Sequence, residues 1–189
     1  MPRIFVAIPL PAEVASTLER VLPPLPALRR VAPDLMHVTL AFIGQVGEEQ
    51  VSGVVDATTV AAKEQGPFRV ELSAVGRFPG HGRPRTVWVG TSARTADAIV
   101  RVGASVRAEL LRHRVRFDPK PLRAHVTLAR VRDDADDDDA RAIAAALAGV
   151  DVDGLSFTAS SLHVMESKLT TKGPLYSSRR EVPLAGPPR

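Results

Sequence analysis

The stretch HVTLA occupies residues 37–41 and recurs, letter for letter, at residues 125–129. The chain has five histidines, and with average residue usage a chance match of four further letters has odds on the order of one in several thousand. Both copies lie in β-rich surroundings, MHVTLAFI at 36–43 and AHVTLARV at 124–131, and read as strands. In a strand, residues i and i+2 face the same way. His37 and Thr39 therefore share a face opposite Val38 and Leu40, and His125 and Thr127 share one opposite Val126 and Leu128. A duplicated strand in a pseudo-symmetric fold would account for the repeat without any activity. Against that, a His/Thr face on an apolar strand is costly to bury unless each group has a partner.

Working outward, RIFVAI at 3–8 reads as a buried strand, and Pro11 opens an amphipathic helix that runs to about Leu22. A helix is predicted from about Glu48 to Lys63, strands at 68–75 and 85–90 around the turn-rich FPGHGRP, and a long helix from Thr95 to Leu111. After the second HVTLA, an aspartate-rich loop leads into an Ala-rich helix at 140–148. Residues 155–165 look extended, and 168–184 read as a terminal hairpin around Gly173–Pro174. This alternation in two similar halves predicts an α+β fold of two pseudo-symmetric lobes, each a β-sheet with flanking helices. A central cleft between them would carry the two motifs. The expected domain spans residues 1–184, with 185–189 (AGPPR) as a disordered tail.

Composition narrows the chemistry. The 189-residue chain contains no cysteine, which removes disulfide frameworks, thiolate zinc sites and a cysteine nucleophile, and suits a reducing cytoplasm. The apolar N-terminus is short and broken by Pro9 and Pro11, so neither a membrane span nor a signal peptide is expected. Net charge is +4, yet six aspartates crowd residues 133–139, leaving the rest strongly basic and rich in arginine. Arginine's planar fork matches phosphate oxygens, which favours polyanionic ligands; a high-arginine surface that merely keeps the chain soluble is the plain alternative.

If the two polar faces meet, they form a cleft with two imidazoles and two hydroxyls. Imidazole titrates near neutrality, so one ring can be protonated while the other is neutral. That is the requirement for in-line displacement at a phosphodiester: one His takes a proton from water, the other gives one to the departing oxygen. The threonine hydroxyls can donate to the non-bridging oxygens, where charge accumulates.

With RIFVAI, MHVTLAFIG, RFPGHGRPRTVWVG, LRAHVTLARV and MESKLTTKGPLY in place, the sequence resembles the 2H phosphoesterase superfamily, named for two His-x-Thr-x motifs, and within it the RNA 2′,3′-cyclic phosphodiesterases, also called 2′-5′ RNA ligases. The resemblance implies hydrolysis of RNA 2′,3′-cyclic phosphate ends to 2′-phosphomonoesters, with feeble reverse 2′-5′ ligation. His37 would be the proton donor and His125 the proton acceptor. Thr39 and Thr127 would hold phosphate oxygens, and Phe42 and Arg130 would contact nucleotide and phosphate. It implies no metal, no cofactor, RNA or small cyclic nucleotides as partners, and a monomer. Strict alternation sets Phe42 and Arg130 on the face opposite their histidines. The chain also departs from the family at Ala41, where members often carry a cation. The alternatives are the same site acting on small cyclic nucleotides, and an inactive RNA- or nucleotide-binding module.

Other residues draw blander expectations. His81 reads as a flexible surface histidine, His163 as structural and His113 as a solvated helix end. The aspartate run reads as a solvated loop rather than a cation site. Trp88 and Tyr176 are candidates to stack on a base, with Trp88 equally a core residue. Arg83, Arg85, Lys168 and Lys172 are candidates for an RNA path.

Overall fold

The computed structural model describes residues 1–171 and 173–187. Its strands are β1 (Arg3–Pro9), β2 (Leu28–Arg30), β3 (His37–Gln45), β4 (Phe68–Phe78), β5 (Thr86–Thr91), β6 (His125–Val131), β7 (Ser156–Ala159), β8 (Ser161–Thr170) and β9 (Gly173–Pro183). Its helices are α1 (Ala12–Val21), α2 (Glu48–Lys63), α3 (Ala93–Arg112) and α4 (Asp137–Ala148), with a 3-10 turn at Pro33–Leu35.

The strands follow one antiparallel path, β7-β4-β5-β6-β3-β1-β8-β9, with β2 added beside β6. The motif strands β3 and β6 are neighbours at its centre. On either side the order is symmetric: β1 then β8 beyond β3, and β5 then β4 beyond β6. The chain reaches this order by exchange. The β4 strand, which follows α2 of the first half, pairs with β5 of the second, and β8 of the second half pairs with β1 of the first. The two predicted lobes thus share one continuous sheet.

The apolar faces of the motif strands build the core, where Val38, Leu40, Val126 and Leu128 are at most 2% exposed. Burying each such side chain contributes about 1.5–3 kcal/mol. The helix α3 carries Ile99, Val102, Val106 and Leu110 inward at helical spacing and packs against α2 and β3. Gly103 lets the loop before β6 close on the helix, since a Cβ there would lie 2.3 Å from Leu122.

Several expectations need correction. The short β2 and the 3-10 turn have no apolar period to mark them in the sequence. The aspartate run is not wholly a loop: α4 begins at Asp137, with Asp136 as N-cap in a capping box with Asp139. Carboxylates there satisfy free N–H groups and complement the helix dipole. The tail beyond residue 184 is held at its start, because Ala185 N–H donates to Ala62 O (3.2 Å) and Gly186 N–H to Gln65 O (2.9 Å). Residues 188 and 189 lie outside the described residues. Among the described residues, no helix is long and apolar enough to cross a membrane.

Candidate active site

β3 and β6 pair antiparallel through Val38 and Val126. One residue to either side, the same register sets His37 opposite Thr127 and Thr39 opposite His125. Each histidine therefore faces the other motif's threonine across the strand pair, within the reach of cross-strand neighbours. The two rings lie close enough for the charge of one to depress protonation of the other.

Both histidines start their strands, and both rings fold back on the preceding turn in the same way. Nδ1 of His37 lies 2.7 Å from the Leu35 carbonyl oxygen, and Nδ1 of His125 lies 2.7 Å from that of Arg123. A carbonyl can only accept, so each Nδ1 carries a proton and each Nε2 is left to exchange one. Burial lowers both pKa values from the ordinary 6.5, opposed by the backbone bonds; neighbouring positive charge lowers them further, from His125 and Arg130 at His37 and from Arg123 at His125. Neither the Thr39 nor the Thr127 hydroxyl has a hydrogen-bond partner among the described residues.

Two β-bulges place the remaining candidates. Ala7 pairs with Thr39 and Val6 with Ala41, which makes Leu40 an extra residue in β3. In β6, Trp88 pairs with Thr127 and Val87 with Ala129, which makes Leu128 the extra one. Leu40 and Ala41 both turn inward, as do Leu128 and Ala129. The slip reverses the phase of the residues beyond it. Phe42 and Arg130 consequently lie on the same side as their histidines, contrary to strict alternation. The bulge carbonyls are satisfied from outside the ladder: Arg107 Nε of α3 donates to Leu40 O (3.1 Å), and Val31 N–H donates to Leu128 O (2.8 Å).

A cleft of about 1010 Å³ opens above this face, lined by His37, Thr39, Phe42, Thr127 and Arg130 together with Arg3, Arg29, Arg30 and Tyr176. Among the described residues, four arginines and no carboxylate line it, which suits an anionic ligand. His125 is not among the lining residues; it stands at the margin, beside Thr39. Arg30 also closes the end of α1 through the Glu19 and Leu22 carbonyls.

Each ring sits in its own aromatic frame. His37 packs on Phe5 (4.9 Å between centroids) and edge-on to Tyr176 (5.5 Å). His125 meets Phe78 (5.2 Å) and Trp88 (6.3 Å), which stack on each other. The Trp88 indole lies flat on Gly76, where a Cβ would approach it to 2.3 Å. Arg123 covers Phe78 from above.

Of the other candidates, Tyr176 joins the cleft, and Trp88 is half-buried beside His125. Its Nε1 has no partner among the described residues. His81 is exposed in the turn after β4, His113 is the C-cap of α3, and His163 lies between the hydroxyls of Ser161 and Ser178. Arg83 and Arg85 line a neighbouring groove. Lys168 lies behind Phe42 and pairs with Glu166; Lys172 lies outside the described residues. Among the described residues, no three His, Asp or Glu side chains cluster as metal ligands. Sequence reasoning missed Phe5, Phe78, Arg29 and Arg107.

These features match known proteins over most of the chain. The curated RNA 2′,3′-cyclic phosphodiesterase of Archaeoglobus fulgidus is 28% identical over 183 residues, covering 94% of this chain and 98% of that protein. Its namesake from Thermus thermophilus is 30% identical over 193 residues, covering 97% and 91%. A crystal structure of a Thermus thermophilus protein superposes with a TM-score of 0.80 at 28% identity, covering 97% of this chain and 98% of that one. The fold is also that of Escherichia coli LigT complexed with 3′-AMP, with a TM-score of 0.74 at 22% identity over 97% and 99% of the two chains. The model of the 2′-5′ RNA ligase superfamily matches residues 11–170, a span that holds both motifs, and the chain belongs to that superfamily.

Proposed function

We propose that the protein is an RNA 2′,3′-cyclic phosphodiesterase that opens the ring to a 2′-phosphomonoester by two-histidine acid–base catalysis. The observation that carries this reading is the antiparallel Val38–Val126 pair, whose register turns His37 toward Thr127 and Thr39 toward His125, with both Nδ1 atoms occupied and both Nε2 atoms without a partner among the described residues. It is supported by curated relatives that bear this name along nearly their whole length.

The cyclic phosphate binds between the motifs, its non-bridging oxygens accepting from the Thr39 and Thr127 hydroxyls and from Arg130. Its negative charge raises the depressed His37 pKa, so that His37 carries a proton when substrate is bound. His125 Nε2 removes a proton from water, and the hydroxide attacks phosphorus opposite the 3′ oxygen. The P–O3′ bond breaks and His37 Nε2–H protonates the leaving oxygen. The resulting 2′-phosphate and 3′-hydroxyl account for every atom of water added.

The surroundings support this division of roles. His37 is the more enclosed ring, packed against Phe5 and Tyr176 in the cleft that Phe42 also lines, where a nucleoside can pack. His125 lies in the more open half, with access to water. By microscopic reversibility the same groups catalyse 2′-5′ joining, which water keeps weak. Both motifs come from one chain, so a monomer suffices, and a chain without cysteine suits the cytoplasm.

Incubating EDTA-treated protein with an RNA oligonucleotide ending in 2′,3′-cyclic phosphate tests the reading. A 2′-phosphate product is expected. A 3′-phosphate would reverse the assignment of leaving group, and activity found only with added divalent metal would end the two-histidine mechanism.

A further inference from the structure

A second groove, of about 670 Å³, runs on from the cleft along the ends of β5 and β6. Arg29 and Arg130 line both, so the two are continuous. Five arginines line the second groove, Arg29, Arg83, Arg85, Arg130 and Arg132, against two carboxylates at its aspartate-rich rim, Asp133 and Asp136.

Three features give it a direction. Arg29 and Arg130 lie directly opposite each other across the β2–β6 pair. Like charges so placed repel, and both side chains are exposed; among the described residues neither forms a salt bridge, and Arg29 lies near enough to Asp134 to help hold its carboxyl below the usual range. An anion between them would relieve that repulsion. At the outer end the guanidinium groups already hold oxyanions. Arg132 grips both carboxylate oxygens of Asp134 (3.0 and 2.9 Å), and Arg83 Nε lies 3.4 Å from Asp137. These exposed pairs are weak and exchangeable. Finally, from Thr127 to Arg132 the strand advances about 14 Å at the usual rise once the extra residue Leu128 is discounted, further than one nucleotide's phosphate.

We propose that this groove is a subsite for the phosphodiester backbone of RNA on the 5′ side of the cyclic end. Arg29, Arg83, Arg85 and Arg132 contact successive phosphates without reading bases, and those phosphates displace the carboxylates of Asp134 and Asp137. The proposal rests on the phosphodiesterase reading and deepens it: the preferred substrate is an oligonucleotide, and the aspartate run competes for the same arginines.

The test is a ladder of RNAs of one to six residues, each ending in 2′,3′-cyclic phosphate, with kcat/KM measured at about 50 and 200 mM salt. In the native protein the hexamer-to-monomer ratio should exceed one by several fold at low salt and shrink at high salt. In R83A/R85A and in R132A that ratio should fall toward one, and the salt slope should flatten by about 0.7 for each arginine–phosphate pairing removed. R83K/R85K should keep most of the gain, and D134N/D137N should raise it. Equal rates on monomer and hexamer in the native protein, or an undiminished ratio in R83A/R85A, would overturn the subsite. If the native protein opens no cyclic end, the phosphodiesterase reading fails by itself. Anisotropy with a labelled hexamer ending in a 3′-hydroxyl then still decides the groove, by weaker binding in R83A/R85A or by none of that loss.

Discussion

The halves around His37 and His125 share sequence, register, bulge and ring orientation, yet differ in the elements that cover them. Beyond β1, the first half is covered by the long β8–β9 hairpin, which brings Tyr176 onto His37. Beyond β5, the second half carries β4 and the four-residue β7, and its histidine leans on Phe78 and Trp88 at a more open margin. Identical motifs therefore place their imidazoles in different surroundings. The two bulges repeat the contrast: a long side chain from α3 holds the first carbonyl, and a backbone N–H before the 3-10 turn holds the second.

Removing either imidazole should be the most damaging change. His37→Ala and His125→Ala should each reduce kcat by about a hundredfold or more, and steady-state kinetics should separate them by pH: the alkaline limb vanishes with His37, the acidic limb with His125. Loss of the same limb in both variants would show that the halves do not divide acid from base. Thr39→Val and Thr127→Val each delete a donor to a charged oxygen, at about 1.5–3 kcal/mol, or roughly tenfold to a hundredfold in kcat/KM.

Two substitutions address one half at a time. Gly76→Ala puts a methyl into the Trp88 indole and should destabilise the fold by about 1–3 kcal/mol, with a shift in tryptophan fluorescence and slower turnover through a displaced His125. Arg107→Ala leaves the Leu40 carbonyl without its partner. Denaturation should report a loss of about 1–3 kcal/mol, and KM should rise as Phe42 loses its register, while Arg107→Gln retains more of both.

Acid should produce the smallest effect. His37, His125 and His163 all have folded-state pKa values below 6.5, each chiefly through burial. As pH falls, the unfolded chain takes up these protons first, so stability is full above 6.5 and declines as pH drops through the folded values. Urea midpoints between pH 7.5 and 5 should follow that decline, and inorganic phosphate should offset it by binding the folded state. The kcat/KM optimum of the free enzyme should fall on the acid side of 6.5 for the same reason; an optimum well above 7 would show that the rings are not depressed before substrate binds.

Much of this architecture is legible in residue order. Apolar spacing locates α1 and α3, the stretches 48–63 and 140–148 fall in α2 and α4, and the repeat singles out two histidines and two threonines that the fold sets on one face. The features that escape have physical causes. Alternation assumes an unbroken pleat, and nothing in the letters LA marks a bulge, because the carbonyls it frees find donors 67 residues away at Arg107 and far upstream at Val31. Charge alone, applied to the aspartate run, conceals a capping box. Phe5 and Phe78 look like ordinary strand residues, because ring-on-ring contact is decided by which strands become neighbours.

Because β4 and β8 are exchanged, neither half can complete its own sheet: with β8 missing, β1 is a bare edge, and with β4 missing, β5 is another. A fragment severed in the turn between β4 and β5 would expose long unpaired ladders prone to self-association, and the two pieces should regain order only on mixing. The intact chain is thus expected to melt as a unit, so any damage that loosens one imidazole's strand reaches its counterpart.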